Sequence, residues 1–324
     1  MLRIVIIGGT GHVGTYLVPR LVQSGHEVLS IRVLSISRGE SKPYRNHPAW
    51  ESVEHLKLDR DAEEAAGDFA ERVRSLHPDV VIDMICFELE SARQLVEALR
   101  GHVHHLLHCG TIWVHGHSVQ VPTTEDQPRY PFGKYGTQKA QIEDYLLDEA
   151  RRHGFPGTVV HPGHIVGPGW VPVNPAGNFN PEVFGRLARG EELALPNLGM
   201  ETLHHVHADD VAQAFERALS NWNAAVGESF HVVSPAALTL RGYAEAVAGW
   251  FGRATHLRFV PWEEWRKGVS EQDAAATWDH IAHSPNCSIA KASRSLGYWP
   301  RYSSLQAVGE ALDWMTEHEV IDAE

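Results

Sequence analysis

Tyr135 and Lys139 are the residue pair with the clearest chemical potential, because they stand four positions apart in a segment of helical character, Lys134–His153. Side chains four residues apart lie on the same face of a helix. A neighbouring ammonium group stabilises a tyrosinate and lowers the pKa of the phenol toward the working pH. The spacing therefore predicts that Tyr135 serves as a general acid and base, and that Lys139 tunes it and can also bind a ribose.

A hydroxyl group stands 24 residues upstream of Tyr135, just after the apolar strand Val103–Cys109. Thr111 follows the C-terminal end of this strand, and open α/β sheets bind their ligands at that edge. We therefore expect Thr111 and Tyr135 to share one catalytic site. Cys109 is expected to be a buried structural thiol, because a nucleophilic role would need an activating base.

A glycine-rich turn near the start of the chain, GGTGHVG, lies between an apolar strand, Leu2–Ile7, and a helical segment, Val13–Ser24. Glycines permit a tight turn and let the backbone approach a pyrophosphate, while the helix N-terminus offers free N–H groups and a positive dipole end. This context is typical of a dinucleotide site. The residues that we assign to it are Gly8, Thr10, Gly11, His12, Val13 and Gly14, with Ile85 farther along the cleft.

The choice between nicotinamide cofactors depends on the end of the second strand, Glu27–Ser37. A carboxylate there binds ribose hydroxyls, whereas an arginine accommodates a 2′-phosphate. Arg38 comes directly after this strand and no carboxylate appears before Glu40. The sequence therefore favours NADP(H) over NAD(H), although an exposed Arg38 and NAD without an acidic anchor stay open. Asp59 and Arg60 follow the third strand, where they could reach the adenine or form a solvated loop.

Short apolar runs alternate with amphipathic stretches over the first half of the chain. Strands are predicted at Leu2–Ile7, Glu27–Ser37, Val53–Leu58, Val80–Cys86, Val103–Cys109 and Gly157–His161, and helices at Val13–Ser24, Ala62–Leu76, Glu90–Arg100 and Lys134–His153. Nearly continuous apolar strands indicate a parallel sheet with both faces covered. We predict an α/β fold, a Rossmann-type doubly wound parallel sheet with a smaller, mixed α+β substrate-binding cap near the C-terminus.

The composition of the sequence changes after about residue 166, where a Pro-, Gly- and Asn-rich stretch begins. We expect a dinucleotide-binding domain at 1–166 and a cap over most of 167–324, with 203–225 returning to the first domain. The later predicted elements are helices at Pro181–Arg189, Val211–Ser220, Leu240–Phe251 and Leu305–Glu317, and strands at Ser229–Val233 and Leu257–Val260.

Composition excludes several classes of protein. The chain has 324 residues and a formal charge of −13, which disfavours nucleic acid and anionic membranes as partners. Three cysteines are too few for a disulfide scaffold, and no apolar stretch is long enough to span a bilayer. We expect a cytoplasmic protein. No metal site is expected, because the histidine-rich strands place alternate side chains on opposite faces.

The motifs together resemble the extended short-chain dehydrogenase/reductase superfamily, in its NAD(P)-dependent epimerase/dehydratase group. They are GGTGHVG, CGTIWVHG, YGTQK, HPGHIVGPG, HVHADDVA and SFHVVSP, in this order along nearly the whole chain. The resemblance implies that Tyr135 is the acid and base, that Lys139 binds ribose, and that Thr111 hydrogen-bonds the same substrate oxygen. It further implies that Pro162 through Ile165 line the nicotinamide pocket and that His164 contacts the substrate.

Three departures from the family pattern limit the substrate assignment. Ile112 and Trp113 stand where sugar dehydratases carry Asp-Glu, so dehydration is disfavoured. Leu203 lies where nucleotide-sugar epimerases usually carry a diphosphate-binding arginine, and His115 replaces the usual tyrosine. Three residues could substitute for that arginine: Arg186, Arg189 and His204.

The sequence leaves the reaction and substrate partly open. Trp113 and Trp170 flank the expected cleft, where they could bind a sugar ring or pack the cap onto the sheet. We favour a dehydrogenase or reductase that exchanges its cofactor and acts on a sugar-like substrate. The alternatives are a nucleotide-sugar epimerase with permanently bound NAD and a non-catalytic dinucleotide sensor. The resemblance also implies a homodimer formed by Glu90–Arg100 and Lys134–His153.

Overall fold

The computed structural model describes residues 2–33 and 42–322. Its strands are β1 (Arg3–Ile7), β2 (Glu27–Val33), β3 (Glu54–Leu58), β4 (Val80–Asp83), β5 (His105–Cys109), β6 (Gly157–Pro162), β7 (His164–Val166), β8 (Glu192–Pro196), β9 (Thr202–Leu203), β10 (His205–His207), β11 (Ser229–Val232), β12 (Leu238–Thr239) and β13 (His256–Val260). Its α-helices are α1 (Gly14–Gln23), α2 (Arg60–Ala66), α3 (Phe69–Ser75), α4 (Leu89–Leu99), α5 (Gly133–His153), α6 (Glu182–Arg189), α7 (Ala208–Ser220), α8 (Trp222–Ala225), α9 (Leu240–Trp250), α10 (Trp262–Trp265), α11 (Glu271–His283), α12 (Ala290–Leu296) and α13 (Ser304–Glu317).

The predicted parallel sheet is confirmed, with seven strands in the order β11-β6-β5-β4-β1-β2-β3. All of its strand pairs are parallel. On β1, Ile4 and Ile6 join one buried cluster with α1, α7 and α12, whereas Val5 and Ile7 join another with α3, α4 and α5. Successive side chains of a strand point to opposite faces, so an uninterrupted apolar run is what a sheet covered on both sides requires.

A separate apolar core holds the cap together. It combines side chains of α6, α9 and α13 with those of β8, which pairs in parallel with β13. The amphipathic segments that the sequence shows late in the chain are therefore the walls of this second core. Among residues 2–33 and 42–322, no helix combines the length and apolar character needed to cross a bilayer.

Two elements that follow residue 225 pack in the layer of the large sheet. The strand β11 pairs with β6 at the edge of the large sheet, and α12 packs against β11 and α7. Ser229–Val232 and Ala290–Leu296 therefore also pack in the sheet layer, while the predicted domain bounds themselves stay a prediction. The pairing of β11 with β6 adds β11 to the edge of the sheet. The choice of pairing partner leaves no local pattern in the sequence.

Several predicted boundaries shift for local reasons. The single helix expected at Ala62–Leu76 is two helices, α2 and α3, because Gly67 adopts a left-handed conformation with φ of 79° and ends α2. The strand predicted at Glu27–Ser37 is described as far as Val33, and its last residues lie outside the described ranges. A short 3₁₀ turn, Ile112–His115, follows β5 and was not predicted.

Candidate active site

One cavity of about 530 Å³ runs from the glycine loop to the Tyr135 helix. It lies beyond the C-terminal ends of β1, β4, β5 and β6, which is where open α/β sheets bind ligands. The predicted site residues that line it are Gly8, Gly11, His12, Val13, Gly14, Ile85, Thr111, Trp113, Tyr135, Lys139, Pro162, His164, Ile165 and Trp170. Sequence reasoning did not assign several others to the cavity, among them Tyr44, Met84, Phe87, Val173 and Phe179.

The glycine loop has the geometry of a pyrophosphate cradle. Gly8 adopts φ of 88°, and its carbonyl accepts the Gly11 N–H at 3.0 Å. A Cβ on Gly14 would lie 2.0 Å from the Gly9 oxygen, so the loop can close onto α1 only without a side chain there. The first turn of α1 carries no acidic residue and no side-chain cap. Its positive dipole end is therefore suited to an anionic group of a dinucleotide.

His12 forms part of the wall of this loop. Its ring is 6% exposed and stacks on Trp170 with centroids 5.1 Å apart and planes 12° apart. Burial, with His207 nearby, lowers the pKa of His12 to about 3. The neutral His12 ring shapes the pocket and adds no positive charge for a phosphate.

Tyr135 and Thr111 meet at the far end of the cavity. Both residues line the same cavity, and the Thr111 side chain is close enough to lower the pKa of the Tyr135 phenol against the larger effect of burial. The ring is 43% exposed toward the cleft, while burial around the hydroxyl raises the pKa of Tyr135 to about 12. The helix α5 carries Tyr135, and the turn after β5 carries Thr111. Two hydroxyl groups can therefore contact one substrate oxygen from adjacent elements.

Lys139 lies beneath this pair, 1% exposed. Its ammonium donates to the Cys109 carbonyl at 2.6 Å and lies 5.9 Å from the Tyr135 ring centroid. Burial lowers the pKa of Lys139. An ammonium group has three N–H donors, so the Cys109 bond fixes the group while further donors suit ribose hydroxyls. The residues thus fit a nicotinamide nucleotide between the glycine loop and Lys139.

Trp113 joins the sheet layer to the cap. Its indole stacks on His283 of α11 with centroids 4.1 Å apart, and its edge meets the Tyr135 ring at 5.9 Å. His283 in turn stacks on Phe132 at 4.0 Å. One face of Trp113 therefore packs the cap onto the site, as Trp170 packs on His12. Both indoles still line the cavity, so contact with a substrate stays a prediction.

His164 contributes an imidazole to the wall of the cavity. Neither ring nitrogen has a hydrogen-bond partner, and the ring lies 5.0 Å from His280 and 6.3 Å from Trp113. Burial, with His280 and other imidazoles nearby, lowers the pKa of His164 well below its usual range. A neutral imidazole offers one donor and one acceptor. His164 can therefore hydrogen-bond a hydroxyl or carbonyl group of a neutral substrate.

The adenine contact suggested for Arg60 stays a prediction, and the structure shows other partners for this side chain. Its guanidinium is buried, donates to both Asp83 oxygens at 2.9 and 3.1 Å, and reaches Glu64 at 2.6 Å. Asp59 accepts the Ala62 N–H at 3.1 Å and caps α2, so its contact with adenine stays a prediction. Arg38 lies outside the described residues.

We expect Arg60→Met to destabilise the protein by about 3–5 kcal/mol, because it leaves the Asp83 carboxylate buried without its partner. Chemical denaturation measures the free energy of unfolding. Arg74→Met is the matched control, since Arg74 pairs with Glu71 on the exposed surface of α3. Surface substitutions change stability by about 0.5 kcal/mol or less. Equal losses in both variants would contradict a structural role specific to Arg60.

Comparison with known proteins identifies the family. The NAD dependent epimerase/dehydratase family matches residues 4–232, which include the glycine loop, Thr111, Tyr135 and Lys139. The chain belongs to this family. The family and its relatives support an enzyme of the NAD-dependent oxidoreductase or isomerase type.

Proteins with similar sequences are known from several organisms. A UDP-glucose 4-epimerase of Mycolicibacterium smegmatis is 27% identical over 80% of this chain and 86% of its own. The 2'-dehydrokanamycin reductase of Streptomyces kanamyceticus is 25% identical over 86% and 76%. The chloroplast stem-loop binding protein of 41 kDa b from Arabidopsis thaliana is 26% identical over 95% and 78%.

Solved structures support the fold. The dTDP-glucose 4,6-dehydratase of Bacillus anthracis, in complex with NAD, superposes with a TM-score of 0.74 at 17% identity, covering 99% of this chain and 98% of its own. The UDP-glucose 4-epimerase of Thermotoga maritima, with UDP-glucose, gives 0.72 at 21% identity, covering 98% and 100%. Both are α/β proteins of the epimerase/dehydratase type.

The three residues that could replace a diphosphate-binding arginine bind other groups of this protein. Arg189 binds Glu182 at 2.6 Å and Glu191 at 2.7 Å, and Arg186 lies 3.5 Å from Glu191. His204 is fully buried between the Ser234 carbonyl and the Cys287 N–H. Among the residues described as lining the cavity, Lys139 is the one lysine or arginine.

Metal and thiol chemistry find no support in the described ranges. No group of three or more His, Cys, Asp or Glu residues there is arranged to hold a metal ion. Cys86 and Cys109 are buried, and burial raises the pKa of both thiols, that of Cys86 to about 12. Such thiols are poor nucleophiles, which agrees with the structural role expected for Cys109.

Proposed function

We propose that this protein is an NAD(P)-dependent dehydrogenase or reductase that acts on a sugar or sugar-like substrate and exchanges its cofactor at every turnover. The observation that carries the proposal is the placement of Thr111, Tyr135 and Lys139 in the wall of one cleft that begins at the glycine loop. A bound nicotinamide supplies or accepts the hydride at this place.

The proton chemistry follows from these side chains. In the reducing direction, Tyr135 gives its hydroxyl proton to the carbonyl oxygen of the substrate, and Thr111 donates a hydrogen bond to the same oxygen. Lys139 stabilises the tyrosinate that results, since an ammonium favours a nearby anion and does so strongly in a buried site. In the oxidising direction, Tyr135 receives the proton of the substrate hydroxyl.

The cleft favours a substrate without a nucleoside diphosphate. Its described walls are mostly aromatic and apolar, and the cationic candidates Arg186 and Arg189 are paired with carboxylates. Two phosphates would need charged partners to leave water. The reductase relative, named for 2'-dehydrokanamycin, offers a precedent for a glycosidic ketone as the substrate. The net charge of −13 further argues against nucleic acid.

A nucleotide-sugar epimerase with permanently bound NAD is the second candidate. It is favoured by the UDP-glucose 4-epimerase relative, which spans 80% of this chain. The two functions differ in cofactor handling, because an epimerase returns the same hydride to its substrate and a reductase must exchange cofactor. Mass spectrometry of nucleotide released from the denatured protein separates them, with retained NAD supporting the epimerase.

We expect the emptied protein to bind NADPH at least about tenfold more tightly than NADH, which corresponds to about 1.4 kcal/mol. Arg38 would supply the charge for the 2′-phosphate. Fluorescence titration of both cofactors measures this preference, and Arg38→Ala should remove it. Arg74→Ala, on α3, is the control. A wild-type preference for NADH, or a preference unchanged in Arg38→Ala, would contradict the assignment.

The substrate is sought by assaying NADPH oxidation with a panel of keto sugars, including 2'-dehydrokanamycin, beside epimerisation of UDP-glucose. Turnover of a panel ketone without epimerase activity supports the reductase. We also propose a homodimer through α4 and α5, as the family resemblance implies. Light scattering tests it, and a monomeric mass would contradict it.

A further inference from the structure

We propose that His161 is a positioning residue, which holds Thr111 in its catalytic place through the Thr111 backbone. His161 lies near the end of β6, 1% exposed, and its Nδ1 accepts the Thr111 N–H at 2.9 Å. The imidazole therefore fixes the turn that presents the Thr111 hydroxyl to Tyr135. This inference rests on the proposed function, because it assigns a role to Thr111 in catalysis.

Gly110 allows the close approach of the imidazole. A Cβ at this position would lie 2.4 Å from Nδ1 and 2.7 Å from Cε1 of His161. The peptide between β5 and Thr111 thus lies directly against the His161 ring. The Gly110 N–H also donates to the Val160 carbonyl at 2.8 Å, so β6 holds this turn at two successive residues.

Glu143 selects the tautomer that His161 needs. Because Nδ1 accepts the Thr111 N–H, the proton of the neutral ring must sit on Nε2, which lies 3.2 Å from Glu143 Oε1. Burial alone would raise the pKa of Glu143, but the His161 ring and the Arg129 guanidinium hold it well below its usual range. Glu143 stands one helical turn after Lys139 on α5.

A line of contacts therefore runs from the protein surface to the catalytic hydroxyls. Arg129 binds Glu143, Glu143 faces Nε2 of His161, and His161 accepts from Thr111. The same helix carries the acid–base tyrosine, its lysine and the carboxylate that orients His161. A shift of Glu143 would thus reach Thr111 without contact with substrate or cofactor.

Three other imidazole groups surround His161, on β5, on β11 and in the turn after β5. His108 on β5, His231 on β11 and His115 in the turn after β5 are buried, and burial lowers the pKa of each. His115 and His231 bond each other through their Nε2 atoms at 2.8 Å. The carboxylate of Glu143 is consequently the direct anionic partner of His161 among these groups.

The test compares two substitutions of His161. Leucine removes the acceptor, whereas the Oδ1 atom of asparagine replaces Nδ1 at a similar distance from the backbone. We expect His161→Leu to lower kcat about 10²-fold, the size of loss that a small misplacement produces. We expect His161→Asn to stay within about fivefold of wild type. The KM for NADPH should be unchanged in both variants, because His161 does not line the cavity at the glycine loop.

His105→Leu is the matched control, since His105 is an equally buried imidazole at the other end of β5 that bonds Thr158 at 2.8 Å. Its loss of an interior hydrogen bond should leave kcat unchanged. Equal kcat losses in the His105 and His161 leucine variants would overturn the proposal, as would wild-type kcat in His161→Leu.

Nitrogen-15 NMR supplies a readout that needs no substrate. We expect His161 to carry its proton on Nε2, and the Thr111 amide signal to move in His161→Leu but not in His161→Asn. A proton on Nδ1, or an unmoved Thr111 signal in the leucine variant, would overturn the positioning role. Failure of every panel ketone to react would instead count against the proposed function, while these signals still decide the placement of Thr111.

Discussion

Tyr135→Phe is expected to lower kcat by about 10²–10⁴-fold, the contribution of general acid–base catalysis, while the Kd for NADPH changes less than about threefold. Phenylalanine keeps the ring that contacts Trp113 and Phe87 but removes the hydroxyl that would move the proton. Steady-state kinetics on the best ketone of the panel measures kcat, and fluorescence titration measures cofactor binding.

Tyr145→Phe provides the matched control, because Tyr145 lies on the same helix, α5, and also carries a single hydroxyl. Its activity should equal that of the wild type. Retained turnover in Tyr135→Phe would show that another group moves the proton. A parallel loss of cofactor binding would show that the substitution disturbed the cleft as a whole.

Gly14→Ala is expected to weaken dinucleotide binding by at least about 100-fold, or about 2.7 kcal/mol. The added methyl group would lie 2.0 Å from the Gly9 oxygen and 2.5 Å from the Gly9 carbonyl carbon. Both are backbone atoms of the cradle itself, so the loop must open away from α1. The N–H groups that would bind the pyrophosphate then move out of position.

Gly249→Ala tests whether the effect belongs to the site. Gly249 also lies in a helix, α9, and a Cβ there meets no atom within 4 Å. Alanine has the better helix propensity, so this variant should be more stable by up to about 1 kcal/mol and bind NADPH normally. Wild-type affinity in Gly14→Ala would contradict the cradle, since it would mean that the loop tolerates a side chain at its tightest point.

Much of the nucleotide-binding layer could be predicted because its signals are local. The apolar run at Leu2–Ile7, the glycines that follow and the Tyr135–Lys139 spacing each act over a few residues. A parallel sheet covered on both faces needs such runs, and a cradle needs glycine at its close contacts. The positions of Thr111 and Tyr135 in one cleft followed from the rule that strand ends share an edge.

The features that the sequence did not show depend on contacts between distant segments. The guanidinium of Arg60 is buried because it pairs with Asp83, which lies 23 residues away in the chain. The extra returning strand β11 was decided by its pairing with β6, about 70 residues earlier in the chain. A residue type shows which bonds a side chain can make, but only the fold shows which partner is within reach.

The sequence by itself determined the α/β architecture and the glycine turn, and it placed Tyr135, Lys139 and Thr111 at one edge of the sheet, because helix and strand periodicity express these features locally. Only the tertiary structure decided which of the many histidines matter to the site. His161 opens the HPGHIVGPG motif and Glu143 follows YGTQK by four residues, but neither motif shows that packing sets the two side chains 3.2 Å apart behind Thr111. Close packing of a buried imidazole against a glycine peptide is a property of the assembled interior, where every neighbour is fixed at once.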